Sequence, residues 1–356
     1  MKAESVEFVK NKILKLDNEK IVHSFTHNYL NIDGLSRLQN KIVIIFRPGD
    51  FLFQNDIDEL LQTAQKRNTF YIFLMVHDID HNNFIKYVGV AKFFFIPSYY
   101  HFYSANLPKR QFQKNIIKHF ISTNNRIDFA RTCLFFYFIR NNLLEKSYFT
   151  YLGEERTTTF DECVVEGADF YLNEFDCENR DKINIDLVKK MIPLAIDNPI
   201  SVLHFGGDWS VNALLKEYDQ SFLSIVVETY SGDCAPYFTE KVWKPIVMKQ
   251  PFILMNSKHS LKVLRELGFK TFDGVIDETY DNLDNPDRWE AIFREIKRIS
   301  LFSIDELKEK YTQLEEVIEH NYNHFYTVLP EIYATEIETI GRDIDILIQK
   351  QLQLLK

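Results

Sequence analysis

Residues 221–272 read SFLSIVVETYSGDCAPYFTEKVWKPIVMKQPFILMNSKHSLKVLRELGFKTF. Phe222 to Val227 is a short apolar, β-rich run that ends in Glu228-Thr229-Tyr230. A loop containing Gly232 and Pro236 follows. Thr239 is placed to cap a helix whose first turn carries Glu240 and Lys241. Pro251 to Met255 predicts a second buried strand, and Ser260 to Leu267 a second helix that Gly268 ends. The residues up to Phe272 predict a third short strand. Strands alternating with helices predict a βαβ unit in a parallel sheet. Such sheets bind ligands beyond the carboxyl ends of their strands, next to helix N-termini. Glu228, Tyr230, Glu240 and Lys241 fall there.

Lys241 carries the strongest chemical signal. A helix N-terminus exposes unpaired amide groups and a partial positive charge, so a lysine there is repelled until an anion joins it. A diphosphate removes that conflict by using both the lysine and the amides. Glu240 lies about 100° round the helix from Lys241, where its carboxylate suits ribose hydroxyls. Alone, such a pair reads more readily as a solvated Glu-Lys pair at a helix start. Pro245 adds weight, because a proline inside a helix removes a backbone donor and such penalties gather near functional sites. Tyr230 suits stacking on a base or a sugar.

Upstream, Ile21–Phe25, Lys41–Phe46, Thr69–Val76 and Tyr87–Ile96 predict strands, with a helix over Asn55–Lys66. These make an N-terminal α/β domain over residues 1–115. Gln111–Phe120 predicts a basic helix. A strand then runs to Ser122, a turn carries Asn124 and Asn125, and a long helix spans Asp128 to about Asn141. Arg126 and Arg131 flank that helix start, where an arginine can fork onto a phosphate. Residues 154–182 are polar and predict an irregular loop, and Asp186–Leu194 a helix. His204-Phe205-Gly206-Gly207-Asp208 is a glycine turn that suits close approach of backbone to a ligand. Residues 116–300 therefore make a second Rossmann-like domain, and 301–356 form C-terminal helices packing back on the body.

His77-Asp78-Ile79-Asp80-His81 follows a strand of the first domain. Sugar transfer needs one group to take the acceptor's proton, and Asp78 and Asp80 are candidates, with Asp50 a rival. His77 and His81 have the spacing of metal ligands on a helix, but they follow a strand and lack a third ligand, so no metal is expected.

The chain has 356 residues, a formal net charge of -9 and 15 % aromatic residues, which permits two large cores and lowers the case for a nucleic-acid partner. The basic stretches 109–118 and 288–298 read as solvated helix faces unless the acceptor is DNA. Four scattered cysteines and the lack of a long apolar run predict a soluble cytoplasmic protein without a membrane span.

Glu228-Thr229, a loop and Thr239-Glu240-Lys241-Val242-Trp243 resemble the donor-site signature of the α-1,3/1,4-fucosyltransferases. The run Glu228–Tyr280 is most similar to glycosyltransferases of tailed phages and large DNA viruses. The resemblance spans about half the chain and implies a GT-B fold, with two Rossmann-like domains facing across a cleft. It implies an inverting, metal-independent transfer from a nucleotide-diphosphate sugar, with no cofactor required. Arg131 and Lys241 would hold the diphosphate, Glu240 the ribose, and Glu228 would approach the sugar. Thr229 and Val227 stand where the fucosyltransferases have asparagine and phenylalanine, so fucose and guanosine diphosphate do not carry over. The acceptor is a glycan, a protein or a hydroxymethylated base of phage or viral DNA. The competing class is a nucleotide- or sugar-binding module without catalysis.

Overall fold

The computed structural model describes residues 19–25, 35, 37–47, 60–62, 64–75, 89–95, 113–126, 128–154, 167, 169–171, 173–175, 190–192, 194, 215–228, 236 and 238–355. The chain divides into two compact units, Leu107–Phe325 and a first unit joining Met1–Asn106 to Tyr326–Lys356. Each is an α/β body built on a parallel sheet.

The first unit carries strands β1 (Ile21–Phe25), β2 (Ile42–Arg47), β3 (Phe70–Met75) and β4 (Ala91–Phe95), paired in that order and all parallel. Successive strand side chains point to opposite faces, and both faces here are apolar. Ile42, Ile44, Phe70 and Ile72 pack on one side, and Val43, Ile45, Tyr71 and Phe73 on the other. A parallel sheet must be covered twice. Leu60, Leu61 and Ala64 cover the second face, and the Tyr71 hydroxyl donates to the Leu35 carbonyl at 3.0 Å. Burial pushes that phenol up to about 12, above the opposing influence of Arg67.

The second unit carries β5 (Lys118–Arg126), helix α1 (Phe129–Arg140), β6 (Ser147–Glu154), α2 (Leu215–Gln220), β7 (Ser221–Val227), α3 (Glu240–Val247), β8 (Phe252–Met255), α4 (Ser260–Glu266), α5 (Asp287–Ser300) and α6 (Ile304–Thr327). The last helix, α7 (Leu329–Leu354), returns to the first unit. Its Tyr333, Ile337, Ile344 and Ile348 cover the open face of the β1–β4 sheet. Pro330 sits in the first turn of α7, where its missing N–H costs nothing.

The second sheet has the order β6-β5-β7-β8 and is parallel throughout. The chain starts in the middle at β5, steps to β6 on one side, then crosses to β7 on the other. The carboxyl ends of β5 and β7 therefore flank the point where the winding reverses, the place at which such sheets open to ligands.

Five expectations from the sequence fall differently. Residues 113–117 are non-helical and Lys118–Phe120 already belong to β5, so the basic helix over Gln111–Phe120 does not form. Lys118–Phe120 pair with Ser221–Leu223 of β7 instead, a sheet contact that outweighs local helix preference. Asn124 and Asn125 lie in β5, not in a turn; a register shift between Asn124 and Arg126 absorbs the irregularity. Gly167, Asp169–Tyr171 and Asn173–Phe175 are helical rather than irregular, because Phe170, Tyr171 and Phe175 meet Phe129, Tyr137, Trp289 and Phe293 in one aromatic cluster.

Phe269–Phe272 forms no third strand. Asn321 of α6 accepts from the Lys270 N–H and donates to the Lys270 carbonyl, each at 2.8 Å. Its side-chain amide takes the place of a neighbouring strand. Leu194, expected at a helix end, pairs with Tyr151 in an isolated antiparallel bridge.

Candidate functional site

β5 ends beside α1. Asp128 adopts extended backbone as the N-cap of α1, and its Oδ1 accepts the Arg131 N–H at 2.9 Å. Its Oδ2 lies 2.9 Å from Arg131 Nη1. One carboxylate thus caps the helix and turns the guanidinium back over the helix start. Arg131 is buried. Burial pushes the Asp128 carboxyl up, while Arg131 and, more weakly, Lys241 pull it down. The influence of Lys241 ties the α1 start electrostatically to the α3 start.

The body of α1 is buried almost all round. Thr132 donates to the Asp128 carbonyl at 2.9 Å, and its hydroxyl lies 2.6 Å from the Tyr151 hydroxyl on β6. Phe135 stacks on Tyr151 with ring centres 4.8 Å apart, and Tyr137 stacks on Phe293 at 4.3 Å. Gly167 lies so close that an added Cβ would come within 2.6 Å of Thr132. Arg131 therefore stands on a rigid base.

β7 ends at Glu228, which is fully buried. Thr239 is the N-cap of α3. Its backbone N–H donates to Glu228 Oε1 at 3.0 Å and its hydroxyl to Glu228 Oε2 at 2.5 Å. The same hydroxyl accepts from the Lys241 N–H at 3.3 Å and from Lys241 Nζ at 3.0 Å. Lys241 Nζ is 3.9 Å from Glu228 Oε2. Lysine, threonine and glutamate form a chain from the partly exposed helix start to the buried strand end.

Trp243 anchors α3 from below. It is fully buried and packs on Phe238, Phe269 and Phe325 at ring distances of 5.6 to 6.0 Å. Pro245 lies inside α3 as expected. It supplies no N–H to the Lys241 carbonyl one turn earlier, so the penalty falls on the turn that holds Lys241.

Behind these groups runs a polar layer on β5 and its neighbours. Ser122 donates to the Ile225 carbonyl at 3.0 Å, and Asn124 Nδ2 donates to Ser122 at 3.0 Å. The Asn124 N–H donates to Thr150 Oγ1 at 2.9 Å. These bonds weld the ends of β5, β6 and β7 together at the reversal point.

Of the expected residues, Glu228, Thr239 and Lys241 contact one another at the end of β7, and Arg131 stands in the first turn of the helix that follows the neighbouring strand β5. Asn125 and Arg126 are the last two residues of β5, and Glu240 opens α3. Tyr230, Asp50, Asp78 and Asp80 lie outside the described residues, as do His77, His81 and the Gly206-Gly207 turn. Asp128 was not among the expected site residues. Its signal was the Asp-x-x-Arg spacing at a helix start, where a carboxylate can cap the helix and hold the arginine at once. Among the described residues no group of three or more His, Cys, Asp and Glu could hold a metal. No described helix is long and apolar enough to cross a membrane.

No protein-family model and no curated protein sequence matches the chain. Among solved structures it is similar to a UDP-forming α,α-trehalose-phosphate synthase from Burkholderia vietnamiensis, with 12 % identity and a TM-score of 0.42 over 95 % of this chain and 76 % of that one. It is also similar to a glycosyltransferase from Rickettsia africae ESF-5, with 14 % identity and a TM-score of 0.40 over 94 % of this chain and 81 % of that one.

Proposed function

We propose that the chain is a glycosyltransferase of GT-B type that takes a sugar from a nucleotide-diphosphate donor held by the second unit. One observation carries the reading. Two cationic side chains, Arg131 and Lys241, stand in the first turns of the two helices that follow β5 and β7, at the reversal point of a parallel sheet. Two helix starts and two cations suit a diphosphate better than any neutral ligand.

In this scheme an acceptor hydroxyl attacks the anomeric carbon from the face opposite the nucleotide. The new C–O bond forms as the bond to the diphosphate breaks. Arg131, Lys241 and the helix amides stabilise the charge that develops on the departing diphosphate. The acceptor proton passes to a carboxylate, for which Asp50, Asp78 and Asp80 are proposed. The cations do the work that a divalent ion would otherwise do, so no metal or cofactor enters the scheme. Glu240 is proposed for the ribose, Tyr230 for the base or sugar, and Asn125 and Arg126 for the donor's edge. The acceptor is a glycan or a hydroxymethylated DNA base.

The test is a thermal-shift screen against nucleoside diphosphates and their sugar esters, followed by donor turnover with and without a chelator. A shift with one nucleotide and turnover that survives chelation support the reading. A binding signal with neither hydrolysis nor transfer would favour a non-catalytic binding module.

A further inference from the structure

The resemblance in sequence puts Glu228 near the transferred sugar, and in the fold its carboxylate is buried against Thr239. Glu228 is buried without measurable exposure, although it ends a strand at the ligand edge of the sheet. Both of its carboxylate oxygens are engaged by Thr239, one by the backbone N–H and one by the hydroxyl. A buried carboxylate is expensive unless it is paired and hydrogen-bonded, and Thr239 and Lys241 meet that requirement. The direction of each bond matters. The Thr239 hydroxyl gives its proton to Glu228, which leaves its lone pairs facing Lys241. Those lone pairs accept from both the backbone N–H and the Nζ of Lys241. Without the carboxylate the hydroxyl is free to rotate, and the lysine loses both a fixed acceptor and a counter-charge 3.9 Å away.

We propose that Glu228 is a positioning residue, which fixes the first turn of α3 and through Thr239 aims Lys241 at the diphosphate, and which does not touch the transferred sugar. This rests on the donor-site reading above. It deepens that reading by assigning recognition at this strand end to the diphosphate rather than to the sugar.

The experiment compares ligands that carry the sugar with ligands that lack it. Titration calorimetry would use inorganic pyrophosphate, the preferred nucleoside diphosphate and its sugar ester, against wild type, Glu228→Gln, Thr239→Val, Thr239→Ser and Lys241→Ala. Glutamine keeps the shape and one acceptor, but presents an N–H₂ where the Thr239 hydroxyl donates and removes the counter-charge. Its expected effect is a loss of about tenfold, the worth of one charge-assisted hydrogen bond, and the same factor for all three ligands. Thr239→Val should reproduce that loss, and Thr239→Ser, which keeps the hydroxyl, should bind like wild type. On the Lys241→Ala background, Glu228→Gln should cost nothing further, a coupling that a merely structural role would not produce.

A Glu228→Gln variant that binds pyrophosphate and nucleoside diphosphate normally but loses the sugar ester overturns the proposal and leaves the donor site standing. So does full additivity with Lys241→Ala. If Glu228→Gln does not fold, the Thr239 pair carries the same comparison. A wild type that binds none of the three ligands overturns the donor-site reading itself, and the positioning role with it.

Discussion

Asp128 holds Arg131 at two points, taking the backbone N–H on Oδ1 and the guanidinium Nη1 on Oδ2, both at 2.9 Å. The two bonds have separate physical content. The first satisfies an orphan amide at the start of α1, and the second points a buried cation toward the end of β5. The two bonds are separable by mutation. Asp128→Asn keeps a good N-cap acceptor but removes the counter-charge 2.9 Å from the buried Arg131 guanidinium, so it should lose about 1–3 kcal/mol in urea unfolding. Asp128→Ala loses both, and should cost about 1–2 kcal/mol more than Asp128→Asn in urea unfolding. Equal stability of the two variants would show that the cap contributes nothing.

The packing of Gly167 against α1 yields a second expectation. A methyl group there would press on Thr132 Cβ and Cγ2 at 2.6 Å and crowd the Phe129 carbonyl. Gly167→Ala should destabilise by about 1–3 kcal/mol, the range for overpacking a closed core. Restoring space with Thr132→Ser, which keeps the hydroxyl bonded to the Asp128 carbonyl, should recover part of the loss. A fully stable Gly167→Ala protein would mean that this helix does not bear on α1.

Acid sensitivity follows from His324 and His119. Burial holds both imidazoles below the usual histidine range of 6.5, the first against a bond from Nε2 to the Leu267 carbonyl at 2.7 Å and the second against a bond to the Phe302 carbonyl at 2.9 Å. His320 stacks on His324 at 5.7 Å and adds to the lowering; Lys146 and Lys118 do the same to His119. A lowered folded value means that the unfolded chain binds more protons in this window. Stability is then complete above pH 6.5 and falls as pH drops through the folded values. Unfolding midpoints measured between pH 8 and 5 should decline (roughly the window set by a histidine of ordinary pKa). His324→Gln keeps a donor for Leu267 and should flatten part of that decline. An unchanged slope would remove His324 from the account.

Asn321 explains why the third strand of the opening segment is missing, and the explanation is testable. Asn321→Leu fills the space but leaves the Lys270 N–H and carbonyl without their partner. The expected cost is about 1–3 kcal/mol. Hydrogen exchange at the Lys270 amide should accelerate along with it. A protected amide in the variant would show that another group holds that backbone.

The sequence carried much of the fold because its periodicities were local. Ile42–Ile45 are four consecutive β-branched residues in a short apolar run, which favours a strand buried on both faces whatever surrounds it. The helix start at Thr239 was legible for the same reason, since an N-cap is decided within a few residues. What was hidden depended on distant partners. Lys118–Phe120 have helical company in sequence, yet pair with Ser221–Leu223 a hundred residues later. Asn321 is an ordinary polar helix residue until Lys270 is found beside it. Within the site, Lys241 was readable as a cation at a helix start. The burial of Glu228 was not, because a glutamate that ends a strand looks the same whether it faces ligand or capping threonine.

The central claim is that Arg131 and Lys241 together make a diphosphate site in the second unit. The most direct measurement is titration of a nucleoside diphosphate into wild type, Arg131→Met, Lys241→Met and the double variant, with folding checked by circular dichroism. Each methionine keeps an unbranched stem and removes the charge. Each single variant should lose about tenfold to a hundredfold in affinity, as expected for one charge-assisted bond to phosphate. The double variant should show no binding. Unchanged affinity in both single variants, with the fold intact, would contradict the account.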